Sequence, residues 1–268
     1  MHPLSVAELL RPHPPEGEID HEPRRMPEGD FAALLQFGGF PEPLAARDRK
    51  FSNRWRRLRQ QLLFKEEVRE LTRVTELGQM EVLAVLVAQR VGSLTSLSSL
   101  AGELNVSLET VKRWLKILES LYYVFPVRPW WKNVARSLRK EPKYYLWDWS
   151  LVPSPPARLE NLVASALLKT VHYWTDAGLG DYGLHFVRDK EKREVDFLVS
   201  KDGAPWFLVE VKSSGTGRLE PNLVRFHERL GTTHAFQAVL DLASLSADCF
   251  SRSRPTLVPL STLLAQLV

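Results

Sequence analysis

One hairpin pattern, at residues 194–212, restricts the fold more than any other part of the sequence. Two runs rich in β-branched and aromatic residues, 194–199 and 206–212, flank Lys-Asp-Gly-Ala-Pro, a sequence typical of a turn. Side chains alternate between the two faces of a strand. A turn centred on Gly203 therefore predicts one wholly apolar face, made of Val195, Phe197, Val199, Phe207, Val209 and Val211.

The other face of this hairpin has an apolar base and a charged end. We expect Glu194 to oppose Lys212 and Asp196 to oppose Glu210, with Leu198 and Leu208 at the base. Two carboxylates directly opposed across strands repel each other, so a sheet keeps them where a cation lies between them or a pKa rises. Mg²⁺ prefers oxygen ligands and accepts two carboxylates together with water and substrate phosphate.

Lys212 adds a positive charge on the same face, two residues after Glu210. An ammonium in that position can orient a nucleophilic water or stabilise the charge that develops on a phosphate. Asp196, Glu210 and Lys212 are therefore a sensible set for phosphodiester hydrolysis, with Asp196 and Glu210 as ligands of Mg²⁺. The alternative is a solvated strand edge, because Glu-x-Lys is common in strands.

The composition indicates a folded protein of a reducing compartment. The 268 residues are 44% hydrophobic and include one cysteine, Cys249, which excludes an intrachain disulfide and a cysteine-rich zinc site. The N-terminus lacks the pattern of a signal peptide, and the most apolar run, 82–87, is far shorter than the roughly 20 residues that cross a bilayer. We expect a cytoplasmic protein with no membrane contact. A net charge of +4 permits a nucleic-acid partner without requiring one.

Element patterns divide the chain into four stretches. Residues 1–30 are rich in Pro, Glu and His and predict an irregular arm, and 31–75 predict a helical linker segment. In 76–150 three helices precede two β-rich runs, an order typical of a winged-helix domain. Three prolines within 149–157 indicate a boundary, and 157–268 form the last domain. Its predicted order is helix, three strands, helix and strand.

The predicted winged helix carries basic residues where such a domain contacts DNA. We expect DNA contacts from its third helix and its wing, with the main residues being Lys112, Arg113, Lys116, Arg136, Arg139 and Lys140. The alternative is a winged helix that binds a protein and exposes a solvated basic face. A second basic stretch, 47–73, holds ten Lys or Arg against four Asp or Glu. It fits either a solvated helix face or a surface that faces phosphates.

The runs Glu-Val-Asp-Phe at 194–197 and Val-Glu-Val-Lys at 209–212 resemble the PD-(D/E)XK nuclease superfamily. The resemblance implies an α/β (α+β) protein whose last domain has a restriction-endonuclease-like αβββαβ core with a mixed sheet. It implies Asp196 and Glu210 as metal ligands, the Val211 carbonyl as a further ligand, and Lys212 as a base-like catalytic group. In that superfamily a further acid often comes from the preceding helix, and Glu160 is the matching position.

A longer series of motifs resembles the C-terminal half of a prokaryotic AAA+ ATPase family. GGFPEPL at 38–44, PKYYLWD at 142–148, LENLVA at 159–164, REVDF at 193–197 and VEVKSS at 209–214 occur in one order. In that family this half, a winged helix plus a nuclease-like domain, has no established function, and a P-loop ATPase domain precedes it. The 268 residues contain no Gly-x-x-x-x-Gly-Lys-Ser/Thr motif, so we expect no ATP site in this chain. The chain would then be a fragment, a shortened reading frame or a stand-alone remnant.

Two functional hypotheses follow from these patterns. The first is a DNA-associated protein whose nuclease-like domain hydrolyses DNA phosphodiesters with Mg²⁺. The second is a non-catalytic module of an AAA+ ATPase, which binds DNA or a partner protein such as the ATPase itself. A transcriptional regulator is a third hypothesis, in which Asp196, Glu210 and Lys212 would have no catalytic role.

Overall fold

The structure, a computed structural model, describes residues 2–64, 77–130, 140–215 and 217–268. Within these residues the protein is a mixed α/β fold with ten α-helices and a seven-stranded sheet. The helices are α1 (Val6–Leu10), α2 (Glu28–Phe37), α3 (Pro41–Ala46), α4 (Arg49–Leu62), α5 (Leu77–Gln89), α6 (Leu97–Leu104), α7 (Leu108–Ser120), α8 (Pro155–Asp176), α9 (Pro221–Leu230) and α10 (Leu260–Ala265). None of these helices is both long enough and apolar enough to span a bilayer.

The strands form one mixed sheet in the order β2-β1-β3-β4-β5-β6-β7. They are β1 (Val124–Pro129), β2 (Lys143–Leu146), β3 (Tyr182–Arg188), β4 (Glu194–Lys201), β5 (Ala204–Lys212), β6 (His234–Val239) and β7 (Thr256–Pro259). The pairs β1–β3, β5–β6 and β6–β7 are parallel, and the other pairs are antiparallel. The elements on either side of the proline-rich stretch 149–157 therefore share one sheet.

The predicted order of elements in the C-terminal part is confirmed as α8, β3, β4, β5, α9 and β6. Helix α8 begins at Pro155, before residue 157, where the last domain is predicted to start. Two of the three prolines that indicated a boundary, Pro155 and Pro156, occupy its first turn, where a missing N–H costs no helical hydrogen bond. In the N-terminal part, Ser107 caps α7 by accepting from the Thr110 N–H at 3.1 Å.

Two apolar clusters enclose the sheet. The larger cluster extends from α2 through α5, α6 and α7 to the ribbon β1–β2, α8 and one face of the sheet. The smaller cluster lies under α9 and contains Leu198 and Leu208 together with Leu223 and Phe226 of that helix. Each face of the β4–β5 hairpin is thus covered by a helix, and Asp196, Glu210 and Lys212 lie at the end away from the turn.

Asn161 of α8 fixes this helix against strand β2. Its side chain is fully buried and bonds both backbone groups of Leu146, accepting from the N–H at 2.8 Å and donating to the carbonyl at 2.7 Å. A buried amide with both partners satisfied specifies one relative position of helix and strand. The neighbouring residue, Glu160, is thereby held beside the start of β2.

The N-terminal arm packs against the C-terminal elements. Ser5 and Glu8 form a capping box at the start of α1, a helix that the prediction of an irregular arm did not include. Arg11 pairs with Asp20 and donates to the carbonyls of Ala265, at 3.1 Å, and Leu267. The arm therefore closes the same core that contains the sheet.

Candidate active site

Asp196 lies where strands β4 and β5 separate. The paired register runs from Lys201 opposite Ala204 to Phe197 opposite Val209, and beyond it the Val211 N–H donates to Asp196 Oδ2 at 2.9 Å. The carboxylate thus takes a hydrogen bond that a strand carbonyl would otherwise accept. The predicted register about Gly203 is confirmed for the three pairs Phe197–Val209, Leu198–Leu208 and Val199–Phe207. Next to the turn it is wrong by one residue, because Ser200 lies opposite Pro205 and Lys201 opposite Ala204, and an irregularity between Val199 and Ser200 restores the predicted register.

The predicted alternation of side chains is wrong at Val195. Leu198 lies opposite His185 but Val195 lies opposite Val187, so β4 has one more residue than β3 between these pairs. Such a bulge shifts the side chains beyond it to the other face. Val195 consequently packs with Leu198 and Leu208 in the cluster under α9, and not on the face of Phe197. The bulge directs Asp196 and Glu194 toward α8 and β2.

Glu210 and Lys212 occupy the end of β5. Lys212 Nζ lies 3.0 Å from Glu210 Oε1 and 3.2 Å from Glu220 Oε1, and Glu220 is the residue before α9. Glu210 is 9% exposed, and its Oε2 is buried with no hydrogen-bond partner among the described residues. A buried carboxylate oxygen without a donor is unusual, because the desolvation cost is then not offset.

Glu160, the acid implied by resemblance, points from α8 toward the same cluster. Its Oε1 accepts from the Tyr145 hydroxyl at 2.7 Å and lies 3.4 Å from Lys143 Nζ. Gly92 adopts a φ of +76°, and a Cβ there would lie 2.8 Å from both Glu160 oxygens. The turn between α5 and α6 therefore covers this carboxylate, which lies beyond the first turn of α8 and outside the strongest effect of the helix dipole.

Lys143 is the residue of the site that sequence reasoning missed. Its side chain is 3% exposed, and Nζ lies 2.6 Å from Glu194 Oε1. Arg188 NH1 lies 2.6 Å from the other Glu194 oxygen. The available signal was a lysine at the head of the otherwise aromatic and aliphatic strand Lys143–Leu146, since a lysine is rarely buried unless it is paired.

The proximity of the acids changes their protonation. Burial, together with the Asp196 carboxylate, raises the pKa of Glu160 and of Glu210 to about 7, although Lys143 and Lys212 respectively oppose the shift. Burial also raises the pKa of Asp196, against the effect of Lys143. Burial would lower the pKa of both lysines, but the surrounding carboxylates outweigh it, so both ammonium groups have a raised pKa. Both lysines are therefore charged near neutral pH.

The donors fit one small divalent cation better than a closed metal cage. No group of three or more His, Cys, Asp or Glu side chains in the described part of the chain is arranged to hold a metal ion. Mg²⁺, however, keeps most of its water and is often held by one or two carboxylates plus substrate phosphate. Asp196 and Glu210 supply such a pair, and Glu210 Oε2 lacks any competing donor among the described residues.

The predicted DNA-binding residues fall into two groups. Lys112, Arg113 and Lys116 of α7 and Lys140 before β2 line one groove of about 970 Å³, together with Arg128 of β1. Glu109, Glu119 and Glu141 also line it, and Lys112 pairs with Glu109 at 2.7 Å. Arg136 and Arg139 lie outside the described residues.

Comparison with known families divides the chain close to the proline-rich stretch. Residues 28–155 match Domain of unknown function DUF8612, and residues 157–262 match Domain of unknown function DUF4143. Two consecutive stretches of the chain are thus each similar to a domain of unknown function. DUF4143 is typically found in proteins associated with AAA ATPases. Lys143 comes from the first matched stretch, and Glu160, Glu194, Asp196, Glu210 and Lys212 come from the second.

Two curated mycobacterial proteins are similar to the chain. Uncharacterized protein Rv2008c of Mycobacterium tuberculosis and uncharacterized protein Mb2031c of Mycobacterium bovis are each 25% identical over 186 residues. The aligned region is 67% of this chain and 42% of each relative, so the chain spans less than half the length of the curated relatives it matches. No solved structure matches the chain significantly.

Proposed function

We propose that this chain is a cytoplasmic DNA-associated protein whose acid and lysine site hydrolyses DNA phosphodiester bonds with one Mg²⁺ ion. The observation that carries the proposal is the end of the hairpin, where the N–H of Val211, the neighbour of Glu210 in β5, donates to the Asp196 carboxylate at 2.9 Å. Lys212 lies 3.0 Å from Glu210, and Glu210 Oε2 is buried without a partner among the described residues.

The protein groups of this site have separate roles in the proposal. Asp196 and Glu210 would hold the ion, and Val211 follows Glu210 on the same strand with its carbonyl as the further ligand that the resemblance implies. A bound divalent ion would supply charge neutralisation on the phosphate and a more acidic water. Lys212 keeps its proton because of its raised pKa, so it stabilises negative charge on the phosphate rather than accepting a proton.

Glu160 is better suited to a supporting role than to metal ligation. Its Oε1 is already bonded by Tyr145 and lies near Lys143. A carboxylate that accepts two such donors has its position fixed, and it adds negative charge beside Asp196. We assign Glu160 as an auxiliary acid that takes up or releases a proton beside Asp196.

DNA would bind in the basic groove between α7 and β2. The groove and the acids lie on opposite faces of β2, because Tyr144 lines the groove while Lys143 and Tyr145 contact the acids. A cluster of ammonium and guanidinium groups attracts a phosphate backbone irrespective of sequence. In this proposal the groove and the helices that line it, α6 and α7, belong to the winged helix.

A second candidate is a non-catalytic module that associates with an AAA+ ATPase. The observation that favours it is the internal pairing of the acids, since Lys143, Arg188 and Lys212 neutralise Glu194, Glu160 and Glu210 without any metal. Such pairing can hold a scaffold together after activity is lost. The typical setting of DUF4143 beside AAA ATPases agrees with this candidate as well.

Cleavage assays with matched variants test the proposal. Labelled linear, branched and single-stranded DNA would be incubated with the protein and Mg²⁺ or Mn²⁺. We expect metal-dependent cleavage that falls by roughly 100-fold or more in Asp196→Asn and Lys212→Met. The control Lys190→Met, at an exposed turn residue, should cleave like the wild type.

The outcomes separate the two candidates. Absence of cleavage on every substrate, together with no heat of Mg²⁺ or Mn²⁺ binding in calorimetry, would overturn the nuclease proposal. DNA binding without metal binding would instead support the non-catalytic module.

A further inference from the structure

We propose that the ammonium group of Lys143 acts as the second cation of the acid cluster formed by Glu160, Glu194, Asp196 and Glu210. The site would then take one divalent metal ion and not two. The inference rests on the proposed function, which assigns that one ion to Asp196 and Glu210. It adds a residue from the ribbon β1–β2 to a site whose other groups belong to α8, β4 and β5.

The contacts of Lys143 fill the position between two of the acids. Its Nζ lies 2.6 Å from Glu194 Oε1 and 3.4 Å from Glu160 Oε1, and the residue is 2% exposed. A buried ammonium is stable only when it is paired with negative groups, because the loss of its hydration is large. The acids and the lysine therefore require each other in the folded chain.

The carboxylate oxygens are used unevenly across the cluster. Both oxygens of Glu194 are paired, one with Lys143 and the other with Arg188, and Glu160 Oε1 is bonded by Tyr145 and Lys143. On the other side, Glu210 Oε2 is buried and has no partner within the described ranges. Among the described residues, the buried carboxylate oxygen of the site without a hydrogen-bond partner thus lies on the Asp196–Glu210 side, where we place the metal ion.

Two-metal sites place one cation on each side of the reacting phosphate. Here the second of these cations would be the fixed ammonium, which carries a single charge and cannot dissociate. Replacing Lys143 by a small neutral residue should free Oε1 of Glu160 and Oε1 of Glu194 from their shared ammonium. A divalent ion would then bind in its place.

Manganese titration of the full chain tests this substitution of one cation for another. Binding of Mn²⁺ would be followed by calorimetry and by the electron paramagnetic resonance signal of free Mn²⁺. We expect one ion per wild-type chain and two per Lys143→Ala chain. Lys143→Arg keeps the positive charge and should bind one ion. Lys143→Ala combined with Glu194→Gln should lose the added ion.

The stoichiometries also separate this inference from the proposed function. A wild-type chain that binds no Mn²⁺ contradicts the proposed metal site. If Lys143→Ala then binds one ion where the wild type binds none, that gain still supports the role of Lys143. Two ions on the wild type, or no gain in folded Lys143→Ala, would overturn the inference.

Folding of the variant is followed by circular dichroism. If Lys143→Ala is unfolded in chelator, its refolding on addition of Mn²⁺ supports the inference. Persistent unfolding at saturating Mn²⁺, with Lys143→Arg folded, contradicts it because the ion then does not replace the ammonium.

Discussion

Lys143 and Glu194 form an ion pair of 2.6 Å although they come from stretches of the chain that match different families. The pair is possible because β1 lies parallel to β3, which joins the ribbon β1–β2 to the sheet that contains Glu194. The charged cluster is therefore formed by both matched stretches together. A DUF4143 stretch alone would keep its acids but lack the buried cation.

The raised pKa values predict how the stability of the metal-free protein depends on pH. The pKa of Glu160 and Glu210 is about 7 in the folded chain, against 4.5 for an unperturbed glutamate. The folded state then binds more protons, so this stability is complete below about pH 4.5 and is lost as the pH rises through 7. We expect a loss of up to about 3 kcal/mol per group between pH 5 and 8, measured by urea unfolding in EDTA.

Variants at the two acids identify the source of that slope. Glu160→Gln and Glu210→Gln should each flatten it, while Glu228→Gln, at an exposed position of α9, is the control. A metal-free wild type that gains stability from pH 5 to pH 8 would contradict the proton binding described here.

The buried hydrogen bonds of Asn161 predict that an uncharged substitution at this position lowers the free energy of unfolding substantially. In Asn161→Leu the N–H and carbonyl of Leu146 lose their partners inside the core. We expect a loss of roughly 2–4 kcal/mol in chemical denaturation, because both backbone groups stay desolvated. Ser165→Ala, which removes only a 3.3 Å contact with Asn161, should cost about 1 kcal/mol or less. Equal losses in the two variants would show that Asn161 does not fix α8 on β2.

Gly92 predicts a steric test of the Glu160 position. Gly92→Ala combines a positive φ with a Cβ that meets both Glu160 oxygens at 2.8 Å, so we expect a loss of about 1–3 kcal/mol. Gly102→Ala, in α6 with open space around it, should be neutral or stabilise by up to about 1 kcal/mol. In a Glu160→Ala background the cost at Gly92 should shrink toward the strain of φ alone. An unchanged cost in that background would exclude contact with Glu160 as a cause.

The hairpin could be predicted from the sequence because its determinants are local. The two-residue period gives the opposed pairs from Phe197 to Val199, but the turn is formed by Asp202 and Gly203, and the irregularity between Val199 and Ser200 could not be predicted. The bulge before Phe197 could not be predicted, since an extra residue in β4 becomes apparent only against β3, and it moved Val195 to the other cluster.

The part of the site that could not be predicted depends on contacts between residues far apart in the sequence. Lys143 meets Glu194 across 51 residues of chain through a parallel strand pair, and periodicity carries no information on such pairings. The helix of Glu160 was predicted, yet its start was placed too late because Pro155 and Pro156 resemble a linker as well as a first turn.

The basic groove predicts how DNA affinity depends on salt. Lys112, Lys116 and Lys140 line the same groove, and each phosphate contact contributes about 0.9 to the slope of log affinity against log salt concentration. The triple alanine variant should therefore bind duplex DNA more weakly, with a slope lower by up to about 3. Fluorescence anisotropy at several salt concentrations measures both quantities.

The matched control is a triple alanine variant at Lys50, Arg54 and Arg57, which are exposed on α4 and represent the second basic surface. A fall in the slope for the α4 variant alone would move the DNA-binding surface from the groove to that helix.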